Sequence, residues 1–121
     1  MPILNFKLEP SVRKRMLRAF LDLLMIRILT QHSMSSYEIN KTLTKKYHVM
    51  IGPSTIYSKL STLEEQGSIQ SDKGRSGKVY RLTDQGKQIA SNMPFFIEEI
   101  CENTKAMLNS KIVPYKKEKV D

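Results

Sequence analysis

Apolar residues recur at steps of three and four through Leu17, Phe20, Leu21, Leu24 and Ile28. That is the spacing of one helical face and predicts a helix over residues 11–31. A loop over residues 31–34 leads to Ser35-Ser36-Tyr37-Glu38. Ser35 as N-cap with Glu38 three residues on has the form of a capping box. Ile39, Leu43 and Tyr47 then make the stripe of a short helix ending near Tyr47. Val49-Met50-Ile51-Gly52-Pro53 reads as a short extended connection, because Gly52 precedes a proline and so avoids helix. Pro53 suits the first turn of the next helix, where its missing N–H costs nothing. That helix, residues 53–66, sets Ile56, Leu60 and Leu63 on one side, and Gly67 fits the left-handed position that ends helices.

Two short extended segments follow, residues 68–72 and 78–82, the second alternating through Lys78, Val79, Tyr80, Arg81 and Leu82. The five residues between them, Lys73-Gly74-Arg75-Ser76-Gly77, supply two glycines and two cations and predict a hairpin loop. Thr83 can cap a last helix, with Asp84 in a first turn where the dipole favours it. Its apolar positions are Ile89, Met93, Phe96, Ile97, Ile100, Met107 and Leu108, and Pro94 should kink it or break it in two. The chain thus divides into an N-terminal arm (1–10), a main domain (11–83), a C-terminal helix (84–110) and a charged tail (111–121).

Charge changes this picture. The 121 residues carry 20 Lys/Arg against 12 Asp/Glu, a net +8. Residues 1–82 hold the whole surplus and residues 83–121 sum to zero. A polyanionic partner for the first two thirds follows, against the plainer reading that a basic surface keeps the protein soluble. Arg13, Lys14, Arg15 and Arg18 crowd the first turns of the opening helix, the wrong end of its dipole for cations. Either an anion lies nearby or the turn is simply solvated. On the helix of residues 53–66, the side opposite Ile56 carries Ser54, Thr55, Ser58, Lys59 and Thr62, with Tyr57 at the edge. None of these is bulky and apolar.

Helix, helix, helix, hairpin, helix is the order of a winged helix-turn-helix: mainly α with a small β-hairpin, then a long C-terminal dimerisation helix. A helix fits the major groove, and small hydroxyl residues let its backbone approach base edges. Cations on the hairpin loop, Lys73, Arg75 and Lys78, would reach flanking phosphates or the minor groove.

Three motifs in this order also resemble the PadR-like transcriptional regulators. Ser36-Tyr37-Glu38-Ile39, with Lys41 and Leu43, matches that family's Gly-Tyr-Glu-Ile helix start. Ser54-Thr55-Ile56-Tyr57-Ser58-Lys59-Leu60, then Leu63-Glu64 and Gly67, is similar to its recognition helix. Residues 78–86 resemble its second wing strand entering the last helix. Ser36 stands for the usual glycine, Ser58 for a proline and Ser68-Ile69 for an apolar pair, so the family's operator preferences do not carry over. The resemblance implies a phosphate contact by Tyr57 and a homodimer joined through the last helix and the first. It also implies repression at a palindromic promoter site on double-stranded DNA, often relieved by a small-molecule effector, which nothing in the chain identifies.

Catalysis would have to draw on His32, His48, Cys101 and scattered carboxylates. No nucleophile triad, phosphate-cradling glycine loop or repeated metal-ligand spacing occurs, so no enzyme, metal or cofactor is expected. His48 at a helix end reads as a capping residue, and Cys101 as a small buried hydrophobe. The single cysteine gives no intramolecular disulfide, and the longest apolar stretch is broken by Asp22 and Arg27, short of a membrane helix. A cytoplasmic protein is expected. The rival reading is a winged helix that docks proteins, which should not need cations on both the wing and the helix before it. Met93, Phe96, Ile97, Ile100, Met107 and Leu108 form the expected dimer face, more apolar surface than one small winged helix can cover.

Overall fold

Glu9 caps the first helix: its carboxylate accepts from the Ser11 amide at 3.1 Å and from the Ser11 hydroxyl. Those bonds hold the Glu9 carboxyl below its usual pKa. An acidic cap thus meets the dipole of the helix start that the cations Arg13, Lys14 and Arg15 follow. The computed structural model describes residues 9–48, 50–75 and 77–115. Most of the expected N-terminal arm, Val49, Ser76 and the end of the charged tail lie outside them.

The elements run α1 (Pro10–Ala19), α2 (Leu21–Leu29), α3 (Ser36–Tyr47), α4 (Pro53–Glu65), β1 (Ile69–Gly74), β2 (Gly77–Leu82) and α5 (Asp84–Asn109). The single helix expected over residues 11–31 is two. Phe20, at φ −105° and ψ 15°, leaves helical geometry, although its amide still reaches Met16 O (3.2 Å) and its carbonyl still accepts from Leu24 (2.9 Å). Leu17, Leu21, Met25 and Ile28 are buried, while Phe20 and Leu24 lie half-exposed on the shoulder.

The chain divides at Ser91/Asn92 into two compact units. In the first, α2 is the central member and touches α1, α3, α4 and β2. Its Leu21, Met25 and Ile28 meet a core that also holds Ile39, Leu43, Ile56, Leu60 and Leu63. Burying one such side chain contributes about 1.5–3 kcal/mol. The capping box forms as read: Ser35 Oγ accepts from the Glu38 amide at 3.2 Å, and Glu38 reaches back to Ser35 N. Gly67 (φ 80°) closes α4 with the Ser68 amide on Leu63 O (2.9 Å) and its own amide on Glu64 O (3.0 Å), the paired bonds of a Schellman end.

The hairpin is longer and its loop tighter than expected. The antiparallel ladder runs from Ile69↔Leu82 to Gly74↔Gly77, leaving only Arg75 and Ser76 between the strands. Both glycines read as loop belong to the closing pair, and Lys73 lies in a strand opposite Lys78. Met34 adds a bridge on the far side of β2, exchanging both backbone bonds with Tyr80 at 3.1 and 2.8 Å. Thr83 caps α5 through the Gly86 amide (3.2 Å), and its hydroxyl donates to Gly67 O (2.5 Å). A Cβ on Gly86 would run into the Ser68 carbonyl, so only glycine lets this turn sit so close.

In the second unit, α5 continues without a break through Pro94 to Asn109. Proline removes one helical hydrogen bond there but does not end the element.

Candidate nucleic-acid interface

The turn between α3 and α4 fixes how α4 is presented. His48 ends α3 in the left-handed region at φ 53°, its amide donating to Thr44 O at 2.9 Å. Asn40 Nδ2 ties the turn back by donating to Ile51 O at 3.1 Å, and Ile51 is buried. Gly52 caps α4 with its carbonyl, which accepts from Thr55 and Ile56. No side chain caps that end.

With Ile56, Leu60 and Leu63 buried, the helical period decides what faces out. Ser54, Ser58, Ser61 and Glu65 stand at the centre of the outer face and Thr55 and Thr62 beside them, all exposed. Lys59 is half-buried at one edge rather than on the face proper, and Tyr57, 55 % exposed, marks the other. Thr62 already donates its hydroxyl to Ser58 O at 3.0 Å, which leaves it as an acceptor. Ser61 and Glu65 were absent from the expected set, though the same 3.6-residue period applied past Thr62 points to both. Glu65 also sets a limit, because a carboxylate is repelled by phosphate. The face suited to a polyanion is therefore the N-terminal part of α4, through Thr62.

The hairpin presents a different chemistry. In its register Ile69, Ser71 and Lys73 share one face with Leu82, Tyr80 and Lys78. Near the helices that face is buried; at the tip it ends in two lysines directly opposite each other, a repulsive pair without an anion. Arg75 occupies the two-residue loop beyond them. On the other face Arg81 is engaged, with Nε 2.7 Å from Asp72 Oδ2 and Nη2 donating to Gln70 Oε1 at 2.9 Å.

A groove of about 880 Å³ lies between the start of α3, Tyr57 and the hairpin tip, and Arg75 and Lys78 line it with Tyr37. Three of the expected contact residues, Tyr57, Arg75 and Lys78, thus share one concavity. Ser54, Thr55, Ser58, Lys59 and Thr62 are outside its lining. Tyr37, 72 % exposed, lines the groove beside Tyr57 and was absent from the expected set; its place just inside the capped start of α3 was the available signal. Behind the groove, Ser71 donates to Glu64 Oε2 at 3.1 Å and links β1 to α4. Tyr80 is buried nearby, and burial, then the Glu64 carboxylate and Tyr57, push its phenol pKa up.

In the second unit the residues expected at a dimer face differ in exposure. Met93 is buried, Phe96 and Ile100 are half-buried, and Ile97 (52 %), Met107 (70 %) and Leu108 (78 %) are exposed, as is Phe95. Cys101 is exposed, against the expectation of a buried hydrophobe; it stands beside Ile100 but turned one position away from that stripe. Among the described residues no group of three His, Cys, Asp or Glu could hold a metal ion, and no helix is long and apolar enough to cross a membrane.

The model of the Transcriptional regulator PadR-like family matches residues 25–92, more than half of the chain. That span takes in most of α2, the α3–α4 pair, the hairpin and the start of α5. Among solved structures the chain is similar to a transcriptional regulator from Clostridium thermocellum, at 27 % identity and a TM-score of 0.64, over 78 % of this chain and 95 % of that one. It is also similar to a PadR family transcription regulator from Clostridium difficile R20291, at 24 % identity and 0.62, over 74 % and 98 %. Bacillus subtilis PadR in complex with operator DNA shares the fold at 21 % identity and 0.55, over 82 % of this chain and 53 % of that one. No curated protein matches the chain.

Proposed function

Because the chain belongs to the PadR-like family of transcriptional regulators, we propose that it is a homodimeric repressor occupying a palindromic site in promoter DNA. The observation that carries this reading is the hairpin register, which sets Lys73 opposite Lys78 and puts Arg75 in the two-residue loop, in the groove that Tyr57 also lines. Glu38 also lines that groove, where it belongs to the capping box of α3 and pairs with none of these cations. Cations so left unpaired suit the phosphate backbone, and Tyr57 offers a hydroxyl to the same strand. Ser54, Thr55, Ser58, Lys59 and Thr62 of α4 are the side chains that reach base edges in the major groove. The operator complex of Bacillus subtilis PadR supports the same use of the fold here.

Dimerisation supplies the second α4. The apolar stripe of α5 offers Phe96, Ile97, Ile100, Met107 and Leu108 to a second copy, with Met93 already buried within the chain, and a two-fold pair implies half-sites one or more helical turns apart. On this reading the protein works in the cytoplasm and performs no catalysis, and relief by a small-molecule effector is left to what the family resemblance implies.

Genome-wide selection of bound DNA tests the reading. Recovery of an inverted repeat supports it, and failure to bind random duplex even at low salt overturns it in favour of a protein-docking winged helix. Phe96→Asp should convert the dimer to monomer in sedimentation and weaken operator binding by more than tenfold, since about 1.4 kcal/mol of lost pairing already suffices for that factor. A stable monomer of the parent protein at micromolar concentration defeats the two-fold arrangement.

A further inference from the structure

A second groove, of about 580 Å³, lies at the opposite end of the hairpin from Arg75. Arg27 from the end of α2, His32 from the following loop, Arg81 from β2 and Lys87 from α5 line it, and it shares no lining residue with the groove beside Tyr57. All of these residues belong to the first compact unit. Leu29 and Leu82 give it an apolar floor, and no Asp or Glu contributes to the wall.

The local structure explains some of this charge and leaves the rest without a structural role. Arg27 sits in the last turn of α2, where the dipole favours a cation, and its guanidinium donates to Thr30 Oγ1 at 3.2 Å. Arg81 is held by Asp72. Lys87 has neither excuse: it stands in the first turn of α5, at the positive end of the dipole. Among the described residues neither Arg27 nor Lys87 has a carboxylate within ion-pair distance. His32 Nδ1 lies 2.9 Å from Ser33 O, a contact that needs the proton on Nδ1 and leaves Nε2 to the groove.

We propose that this groove binds a small phosphomonoester, with its phosphate between Arg27 and Lys87 and its body on Leu29 and Leu82. A phosphomonoester carries about −1.5 to −2 charges near neutral pH, matching two unpaired cations where a carboxylate would neutralise one. The volume is that of a small-molecule site, larger than an inorganic anion fills. The same phosphate chemistry could come from the DNA backbone, and the variants below separate the two sources.

The test is an amide-shift titration of the ¹⁵N-labelled full chain with phenyl phosphate, inorganic phosphate and benzoate at about 150 mM salt. Phenyl phosphate should saturate, shift the amides of residues 27–33 and 87–91, and bind more tightly than either comparator. Arg27→Gln and Lys87→Gln, both at exposed positions, should each weaken it by roughly tenfold. Binding of random duplex DNA, and its salt dependence, should be unchanged in both variants. No saturation by about 10 mM, shifts confined elsewhere, or indifference to both substitutions overturns the proposal. So does benzoate or inorganic phosphate binding as tightly as the ester. Loss of DNA affinity in both variants would assign the groove to the DNA backbone instead. A parent protein that binds no DNA yet still takes phenyl phosphate would defeat the repressor reading and leave this site standing.

Discussion

The outer face of α4 and the tip of the hairpin are neighbours in the same unit, yet their chemistry is nearly opposite. Residues 53–65 of α4 carry one lysine and two glutamates, whereas the hairpin residues 69–82 carry four cations and a single carboxylate, Asp72. The first surface is hydroxyl-bearing and uncharged along its centre until Glu65, and is mounted on three buried apolar side chains; the second is basic and projects beyond the core. A neutral face of Ser and Thr gains little from a phosphate strand at long range but discriminates by hydrogen bonds at contact. Clustered cations attract any phosphate strand and discriminate little. The proposed function thus gives selecting and holding to separate elements.

The largest expected effect breaks that separation from behind. Leu60→Ala removes the central buried side chain of α4 and should destabilise the protein by about 2–5 kcal/mol in urea unfolding, with both surfaces lost in one transition. A hairpin that kept its DNA affinity after α4 unfolds would show that the two elements are independent. Next in size, Thr55, Ser58 and Lys59 replaced together by alanine should cost about 1–3 kcal/mol of operator discrimination per lost base contact. Random-duplex binding should fall far less. Unchanged operator preference in a competition assay would move base reading elsewhere.

Arg75→Ala is the converse. Operator and random DNA should weaken alike, with a salt slope shallower by roughly 1 for each lost phosphate contact in each half of the dimer. Loss of discrimination with random binding spared would make the hairpin a base reader. The smallest effect belongs to Asp72→Ala, which breaks an ion pair roughly half exposed on both sides and should cost less than about 1 kcal/mol of stability. It also frees Arg81, so random-duplex affinity at low salt should rise slightly; a fall would mean that the pair shapes the hairpin.

Much of α4 and its ends was legible because single residues there have single uses. Pro53 brings no N–H to a helix start, Gly67 takes the left-handed turn at its end, and the Ser35/Glu38 box and Thr83 before Asp84 satisfy amides that the helices leave open. The interruption at Phe20 left no such trace, since hydrogen bonds run through it and the apolar period does not change. The loop length was misread because Gly74 and Gly77 serve a closing ladder pair as readily as a loop. The Met34–Tyr80 bridge depends on backbone groups brought together across 46 positions of sequence, which no local pattern encodes. Of the expected contact residues, Lys59 lies at the edge of the outer face, and Thr62 stands on it but spends its proton on the helix; a 3.6-residue period shows neither half-burial nor a hydroxyl turned back on its own helix.

The Met34–Tyr80 bridge has a bearing on how the protein behaves when crowded. A two-stranded sheet has two open edges, each a template for pairing with another chain. Met34 occupies part of the β2 edge, so β1 presents the longer stretch of unsatisfied backbone. Along β1 run Gln70, Ser71, Asp72 and Lys73, polar or charged throughout, with no apolar run to favour a foreign strand. The hairpin thus guards its longer open edge by composition and its other edge by a borrowed strand.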